Sequence, residues 1–514
     1  VTGRYPDDVD VVVVGSGPAG AAYARILSEE ASELRIAVLE VGPTVSDPPG
    51  AHVKNIQDAR ESALAQRRSQ GPVPPGETVR DPGQVRAGVR AARPGTWLLS
   101  ADAGVEGEDG LPVAAMSSNV GGMGAHWTGA CPRPGEGELI EGLDDLDDLL
   151  GEAERLLGVT TDAFADAPFS EEVRRRLSGV LDAGRSPDRR VQAMPLAVHR
   201  RADGSLVWSG ADVVFGDASR SNPRLHLLDE SLVRRVLVED GRAAGVEVED
   251  RRTGARHTVG ARAVVVAADS LRTPQLLWAS GVRPAALGRY LNDQAQVVFA
   301  VRLRGAAEHP DAARAEARAG TLSEQSGVSW VPYTDAAPFH GQVMQLDASP
   351  IPLAAEDDPL PGSVVGLGWF CAKDLRAEDR VEFDEHATDP YGMPAMRVRY
   401  RLTARDHATI ERARQEIQEA AAALGDPIGD EPLVLPPGSS LHYQGTVRLG
   451  AVEDGTSVCG PDSQVWGTPG LYVAGNGVIP TSTACNPTLT AVALAVRGAR
   501  ALAQDLAAQV STIR

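Results

Sequence analysis

Val9-Asp10-Val11-Val12-Val13-Val14-Gly15-Ser16-Gly17-Pro18-Ala19-Gly20, continued by Ala21-Ala22-Tyr23-Ala24-Arg25-Ile26-Leu27 and by Arg35-Ile36-Ala37-Val38-Leu39-Glu40, decides how this chain folds. Residues 9–14 are a β-branched apolar run, the composition of a strand buried on both faces of a parallel sheet. Gly15, Gly17 and Gly20 then fit G-x-G-x-x-G at the opening of a helix, and residues 35–40 read as a second strand. The glycines permit a tight turn and close approach of a pyrophosphate to the helix N-terminus, where unpaired N–H groups and the helix dipole favour an anion. Glu40 follows the third glycine by about 20 residues, where a carboxylate accepts hydrogen bonds from a ribose 2′-hydroxyl. Such a glycine pattern alone is common among turns; with both strands, the helix and the acid in place it predicts dinucleotide binding.

Outward from this unit, the 514 residues exceed ordinary single-domain size and predict two lobes, with room for a large cofactor between them. The net charge of −20, with no basic block, argues against a nucleic-acid or anionic-membrane partner and is read as a solvated surface. Cys131, Cys371, Cys459 and Cys485 lie far apart without C-x-x-C or histidine spacing, so they are expected to be structural thiols, with no metal site. The opening residues lack the basic start and apolar core of a signal peptide, and no later stretch reaches roughly 18 unbroken apolar residues. A soluble, cytoplasmic monomer or small homo-oligomer is the expectation.

Residues 43–110 are rich in Pro, Gly, Arg and Asp, with little sustained periodicity, and read as a long excursion: a lid or a passive surface insertion. Its part 67–76 is expected to be flexible. Ser117-Ser118-Asn119-Val120-Gly121-Gly122-Met123-Gly124-Ala125-His126-Trp127-Thr128 follows, and its glycines beside hydrogen-bonding residues predict backbone pressed on a flat ligand rather than an ordinary glycine-rich loop. Residues 224–228, 231–238 and 244–248 read as a β-meander, 263–268 as a strand returning to the parallel sheet, and Pro274 to Leu277 as part of a helix. Residues 296–303, 342–346 and 364–370 suit an antiparallel sheet, covered by a helix over 404–424. The chain then goes back to the first lobe through a strand at 470–477 and a helix capped by Asn486-Pro487-Thr488-Leu489-Thr490. The fold class is α/β (α+β): a discontinuous nucleotide-binding domain over 1–50, 111–150, 195–290 and 440–514, a substrate domain over 151–194 and 291–439, and an insertion over 51–110.

The segments His442-Tyr443-Gln444-Gly445-Thr446-Val447-Arg448-Leu449-Gly450, Asn476-Gly477-Val478-Ile479-Pro480 and 486–490 resemble the C-terminal signature of glucose-methanol-choline (GMC) flavoenzymes. Residues 121–128 resemble the flavin-attachment segment of the pyranose oxidases in particular, and residues 287–293 and 389–394 match as well. The resemblance covers nearly the whole chain except about 43–110 and 305–341. It implies an FAD-binding Rossmann-type domain joined to a substrate-binding domain on an antiparallel sheet. It also implies FAD-dependent oxidation of a C2 or C3 ring hydroxyl of a pyranose sugar or glycoside to a ketone, with O2 (giving H2O2) or a quinone as acceptor.

Alcohol oxidation by a flavin needs a base to take the hydroxyl proton as hydride moves to flavin N5. By resemblance His442 is that base, and Asn486 its partner, orienting the alcohol oxygen. The resemblance assigns cofactor contacts to Gly15, Gly17, Gly20, Glu40, Gly121, Gly122, Met123, His126, Trp127, Thr128, Val233, Ala268, Asn476, Gly477, Pro487 and Thr488. Thr128 matches a threonine that hydrogen-bonds the flavin near N5 and O4. His126 matches a histidine that carries the flavin covalently in fungal pyranose oxidases. There Ser-Thr precedes it and here Gly124-Ala125 does, which leaves attachment open. Gln342, with His442 and Asn486, is assigned to the sugar, while Met344 and Ala348-Ser349-Pro350 depart from the fungal pattern. A remodelled rim would admit a glycoside with its aglycone protruding, as in bacterial relatives that oxidise C3. Three rivals are weighed: a nicotinamide-dependent dehydrogenase, which leaves the second glycine-ended strand and the His442 block unexplained; a catalytically silent flavoprotein, which has no use for His442 with Asn486; and a cholesterol- or choline-type GMC enzyme.

Overall fold

The computed structural model describes residues 3–71, 95–318, 327–346 and 360–512. The sequence expectations for residues 72–76 and 348–350 lie outside these. The opening run forms β1 (Asp8–Val14), turns through the glycines into α1 (Pro18–Glu30), and returns as β2 (Ile36–Leu39) parallel to β1. Val11 to Val14 are buried on both faces of the sheet, each contributing roughly 1.5–3 kcal/mol by leaving water. The sheet continues as β3 (Leu225–Leu228), β4 (Ser231–Glu239), β5 (Arg242–Asp250) and β6 (Arg256–Val266), in the order β3-β2-β1-β6-β5-β4.

β6 changes partner along its length. Its residues 256–260 pair antiparallel with β5, and its residues 260–266 lie parallel to β1, so one strand joins the meander to the nucleotide sheet. β3 was expected in the meander, but it pairs parallel with β2 at the sheet edge, and only β4, β5 and β6 form the meander. Its short apolar run does not distinguish the two placements. After β6 comes α2 (Asp269–Ala279), whose first turn faces the glycine loop.

The second sheet contains β7 (Ala295–Leu303), β8 (Gly327–Val331), β9 (Phe339–Leu346) and β10 (Val364–Cys371), antiparallel in the order β7-β10-β9-β8. Helix α3 (Ala404–Leu424) covers it with Ile410, Ala413, Ile417, Ala420, Ala421 and Leu424, an apolar stripe at helical spacing. Thr403 and Asp406 cap it reciprocally: Thr403 Oγ1 accepts from the Asp406 N–H at 3.2 Å, and the Asp406 carboxylate from the Thr403 N–H at 2.7 Å. The chain then re-enters the first lobe as β11 (Leu471–Val473), parallel to the end of β6, and closes with α4 (Thr488–Thr512) packed on α1.

One boundary and one segment differ from the sequence reading. The division expected at 150/151 cuts through helix Leu146–Leu157, whose buried leucines belong to the first core and which packs on α4. The excursion holds helix Ala59–Arg68, begun where the Asp58 side chain accepts from the Glu61 N–H at 2.8 Å. Its single buried residue, Ala65, leaves no apolar stripe to read, which is why periodicity failed. The four cysteines are buried and free. Among the described residues, no helix is long and apolar enough to cross a membrane, and no cluster of His, Cys, Asp or Glu could hold a metal ion.

Candidate active site

A cavity of about 510 Å³ runs from the glycine loop to His442 and Asn486. At its first end Gly15 has φ +101°, and a side chain there would place Cβ 2.3 Å from Ala267 O. A Cβ at Gly20 would lie 2.1 Å from Gly15 O. The loop can therefore fold flat only because both are glycine, leaving the N-terminus of α1 open to the cavity beyond Gly17 and Pro18. Glu40 stands just past β2 and is 5 % exposed. Its carboxylate accepts from Ser16 N–H (3.1 Å), Ser16 Oγ (2.7 Å) and Gly42 N–H (3.0 Å). Burial raises its pKa, and those donors oppose the rise. Ser16 Oγ also accepts from Gly121 N–H at 3.0 Å, tying the glycine loop to the 121–128 segment.

That segment forms one wall of the cavity, turning through a short 3₁₀ helix at Gly122–Ala125. Gly122, Met123, His126, Trp127 and Thr128 line the cavity, and Gly121 sits behind them with φ +97°. Trp127 is fixed by its indole N–H to Ser209 O (2.8 Å), and its carbonyl accepts from His52 Nε2 (2.8 Å). Among the described residues neither ring nitrogen of His126, both buried, has a hydrogen-bond partner, and burial pushes its pKa down to about 4. A Cβ at Gly95 would fall 2.3–2.5 Å from that ring, so Gly95 lets it lie against the chain. Asp269, with φ +68°, also lines the cavity. Desolvation raises its pKa, while the N–H groups of Leu271 (2.6 Å) and Arg272 (3.0 Å) hold the carboxyl in place.

At the far end the second sheet meets the first lobe. His442 lies with its ring centroid 5.3 Å from that of Phe370 on β10. Asn486 Nδ2 donates to His442 Nε2 at 3.3 Å, and Gln342 Nε2 on β9 donates to Asn486 Oδ1 at 2.7 Å. The other imidazole nitrogen, Nδ1, meets Gln294 Oε1 at 2.7 Å. The loop carrying the histidine is pinned from below: Asp293 Oδ2 accepts from Gly438 N–H at 2.8 Å, Asp293 Oδ1 from Ser440 Oγ, and Ser440 Oγ from His442 N–H at 3.0 Å. Leu441, just before it, adopts φ +61°, a region that costs a non-glycine residue about 1 kcal/mol or more and persists only where surroundings enforce it.

The residues singled out in the sequence thus converge. Gly15, Gly17, Glu40, Gly122, Met123, His126, Trp127, Thr128, Val233, Ala268, Asn476, Thr488, His442 and Asn486 all line the one cavity. Gly20, Gly121, Gly477 and Pro487 stand behind its wall: Gly20 and Gly121 in close backbone packing, Gly477 against Val447 and Thr446, and Pro487 accepting from Ala491 N–H at the start of α4. Gln342 is buried and reaches Asn486 rather than the cavity. The sequence reading missed Ser16, His52, Asp269, Arg272 and Gln294. Ser16 and Asp269 sat inside recognised motifs, and their roles depend on which backbone faces them. Gln294 directly follows the matched 287–293 segment, so its position carried a signal that its residue type did not.

Family profiles described as GMC oxidoreductase match residues 140–296 and 376–495. The chain is 67% identical over 503 residues to a C-glycoside 3-oxidase of Arthrobacter globiformis, covering 98% of this chain and 96% of that one. It is 32% identical to a pyranose 2-oxidase of Tricholoma matsutake, over 97% and 94% of the two chains. A crystal structure of pyridoxine 4-oxidase from Mesorbium loti has the same fold, with a TM-score of 0.65 at 18% identity, covering 96% of this chain and 99% of the other. The chain belongs to the GMC oxidoreductase family, and is with it an FAD-dependent oxidoreductase acting on CH–OH groups.

Proposed function

We propose that this protein oxidises the C3 hydroxyl of the pyranose ring of a glycoside to a ketone, with O2 as acceptor and H2O2 as the second product. The observation that carries the reading is the His442–Asn486 pair on the wall of the cavity that begins at the nucleotide loop. Identity of 67% to a C-glycoside 3-oxidase, against 32% to a pyranose 2-oxidase, supports C3 over C2 and a glycoside over free glucose.

FAD fits the residues present. The open N-terminus of α1 and the two flush glycines suit a diphosphate, Glu40 keeps lone pairs for a ribose, and the 122–128 wall with the buried His126 ring suits a planar isoalloxazine. When bound there, FAD supplies a hydride acceptor for the carbinol carbon and a route for the electron pair to oxygen.

The chain's own residues do the proton chemistry. His442 Nε2, on the cavity side, takes the proton of the sugar hydroxyl, a contribution of roughly 10²–10⁴ in rate for a positioned base. Asn486 Nδ2 lies beside that nitrogen, where it orients the hydroxyl and stabilises negative charge growing on its oxygen. Gln342 keeps the Asn486 amide turned so that Nδ2, not Oδ1, faces His442. Asn486 sits two residues before α4, so helix and amide are placed together.

Anaerobic mixing with D-glucose and, separately, with a C-glucoside tests this. Faster loss of the yellow flavin band with the C-glucoside, and a C3 ketone by NMR, is the expected result. A C2 ketone would return the assignment to pyranose 2-oxidation, and no bleaching by either sugar would end the sugar reading.

A further inference from the structure

We propose that Gln294 is a positioning residue for His442: its side-chain amide locks the imidazole in the Nδ1–H tautomer and keeps the bare Nε2 facing the cavity. The inference rests on reading His442 as the base and concerns what makes it one. Gln294 is 1 % exposed and stands off the cavity wall, so it does not touch the sugar.

The amide has one workable orientation. Gln294 Nε2 lies 2.9 Å from Thr483 O and 2.8 Å from Cys485 O. Both are carbonyls, and both amide protons are used on them. Turned over, the amide would set its own oxygen against two carbonyl oxygens. Oε1 therefore points at His442 Nδ1, 2.7 Å away, and because that oxygen only accepts, Nδ1 carries the proton. Nε2 is left with its lone pair, and Asn486 Nδ2–H points at it. The same polarity continues outward, since Asn486 Oδ1 accepts from Gln342 Nε2. From the Thr483 and Cys485 carbonyls to Gln342, every donor and acceptor agrees with one tautomer, and the opposite tautomer breaks at Gln294 Oε1.

The placement is as informative as the polarity. Asn292 and Gln444 exchange backbone hydrogen bonds (3.0 and 2.9 Å), Asp293 holds Gly438 and Ser440, and Gln294 holds the His442 ring. Three consecutive residues thus grip the histidine loop. Through its Nε2, Gln294 also grips the backbone just before Asn486, whose N–H side is held by Glu138 Oε1 at Ala484 (2.6 Å) and Cys485 (2.9 Å). One side chain therefore ties together the two loops that bring His442 and Asn486 face to face. A second ring contact, from Phe370, leaves the imidazole a single plane.

The test uses the FAD-loaded enzyme with Q294M, which keeps length and apolar bulk and removes both hydrogen-bonding functions. Anaerobic flavin reduction at saturating sugar is expected to fall about 30-fold or more, the order of a base in the wrong tautomer. Sugar affinity should stay within about threefold, because Gln294 is not on the wall. In ¹⁵N-histidine-labelled parent enzyme, the His442 signal, identified as the one absent from H442A, should show a protonated Nδ1 and a bare Nε2. In Q294M that pattern should be lost. A parent His442 protonated at Nε2 overturns the proposal whatever the variant does, even if Q294M fails to fold. Parental reduction by Q294M, or slow reduction with the parental ¹⁵N pattern intact, also overturns it. Near-parental reduction by H442A is a different failure, since it removes the base reading itself.

Discussion

The two ends of the cavity are built in opposite ways. At the nucleotide end, one contiguous stretch of about 30 residues supplies strand, turn, helix and acid, and the groups that face the ligand are mostly backbone. At the catalytic end, His442, Asn486, Gln294 and Gln342 come from four separated segments and act through side-chain atoms aligned by one another. The first design tolerates many sequences as long as a few positions have no side chain. The second depends on the direction of each amide.

The contrast predicts different modes of failure. The largest effect is expected at the catalytic end: H442A should lower flavin reduction at least about a hundredfold, the usual scale for losing a general base, while the protein stays yellow. Rapid-mixing reduction rates together with flavin content per chain decide this, and reduction near the parental rate would remove His442 from the chemistry. At the other end G15A should fail in the reverse sense. Its Cβ would press within 2.3 Å of Ala267 O at φ +101°, so the purified protein should be pale and recover little FAD on dialysis against it. Full flavin content in G15A would show that the loop can rearrange, and that the close approach is not what holds the cofactor end.

Between these lies N486A, expected to slow reduction by roughly ten- to a hundredfold, because an amide that stabilises developing charge is lost while the base remains. Q342M should cost less, about three- to tenfold in reduction rate, since it frees the Asn486 amide to turn without removing it. Should Q342M instead raise KM strongly with reduction at saturation unchanged, Gln342 meets the sugar directly and the expectation drawn from its sequence position is restored.

The same contrast explains what the sequence made legible. The β1–α1–β2 unit announced itself because its period, its glycines and its acid are local, and so did the His442 and Asn486 segments, each recognisable within a few residues. What stayed hidden was relational. Nothing in Asn292-Asp293-Gln294 states that its third member faces the His442 ring, because that follows from a backbone pairing 152 residues away, between Asn292 and Gln444. β3 was misplaced for the same reason: a four-residue apolar strand does not encode its neighbour, and the parallel pairing with β2 is a property of the whole sheet. Helix Ala59–Arg68 escaped from the other side, being nearly all exposed, so no stripe of buried residues marked it.

The smallest expected effect probes how both ends share one buried interior. His52, on the cavity wall beside Trp127, and His340, beyond Phe370 at the catalytic end, are each held neutral by burial, with pKa values pushed down to about 3. For a histidine whose folded pKa lies below its unfolded value, the unfolded chain binds the extra proton, so stability is complete above the unfolded pKa of 6.5 and is lost as pH falls below it towards 3. At pH 5.5 each ring should subtract about 1.4 kcal/mol, which in a chain of this size lowers the denaturation midpoint by only a few degrees from its pH 7.5 value. H52Q, whose amide can still donate to Trp127 O, should flatten that slope by about a third, since His126, held near 4 by burial, contributes alongside His52 and His340. A midpoint unchanged between pH 7.5 and 5.5 would mean that water reaches these rings, and that the two ends of the cavity are less sealed than their packing implies.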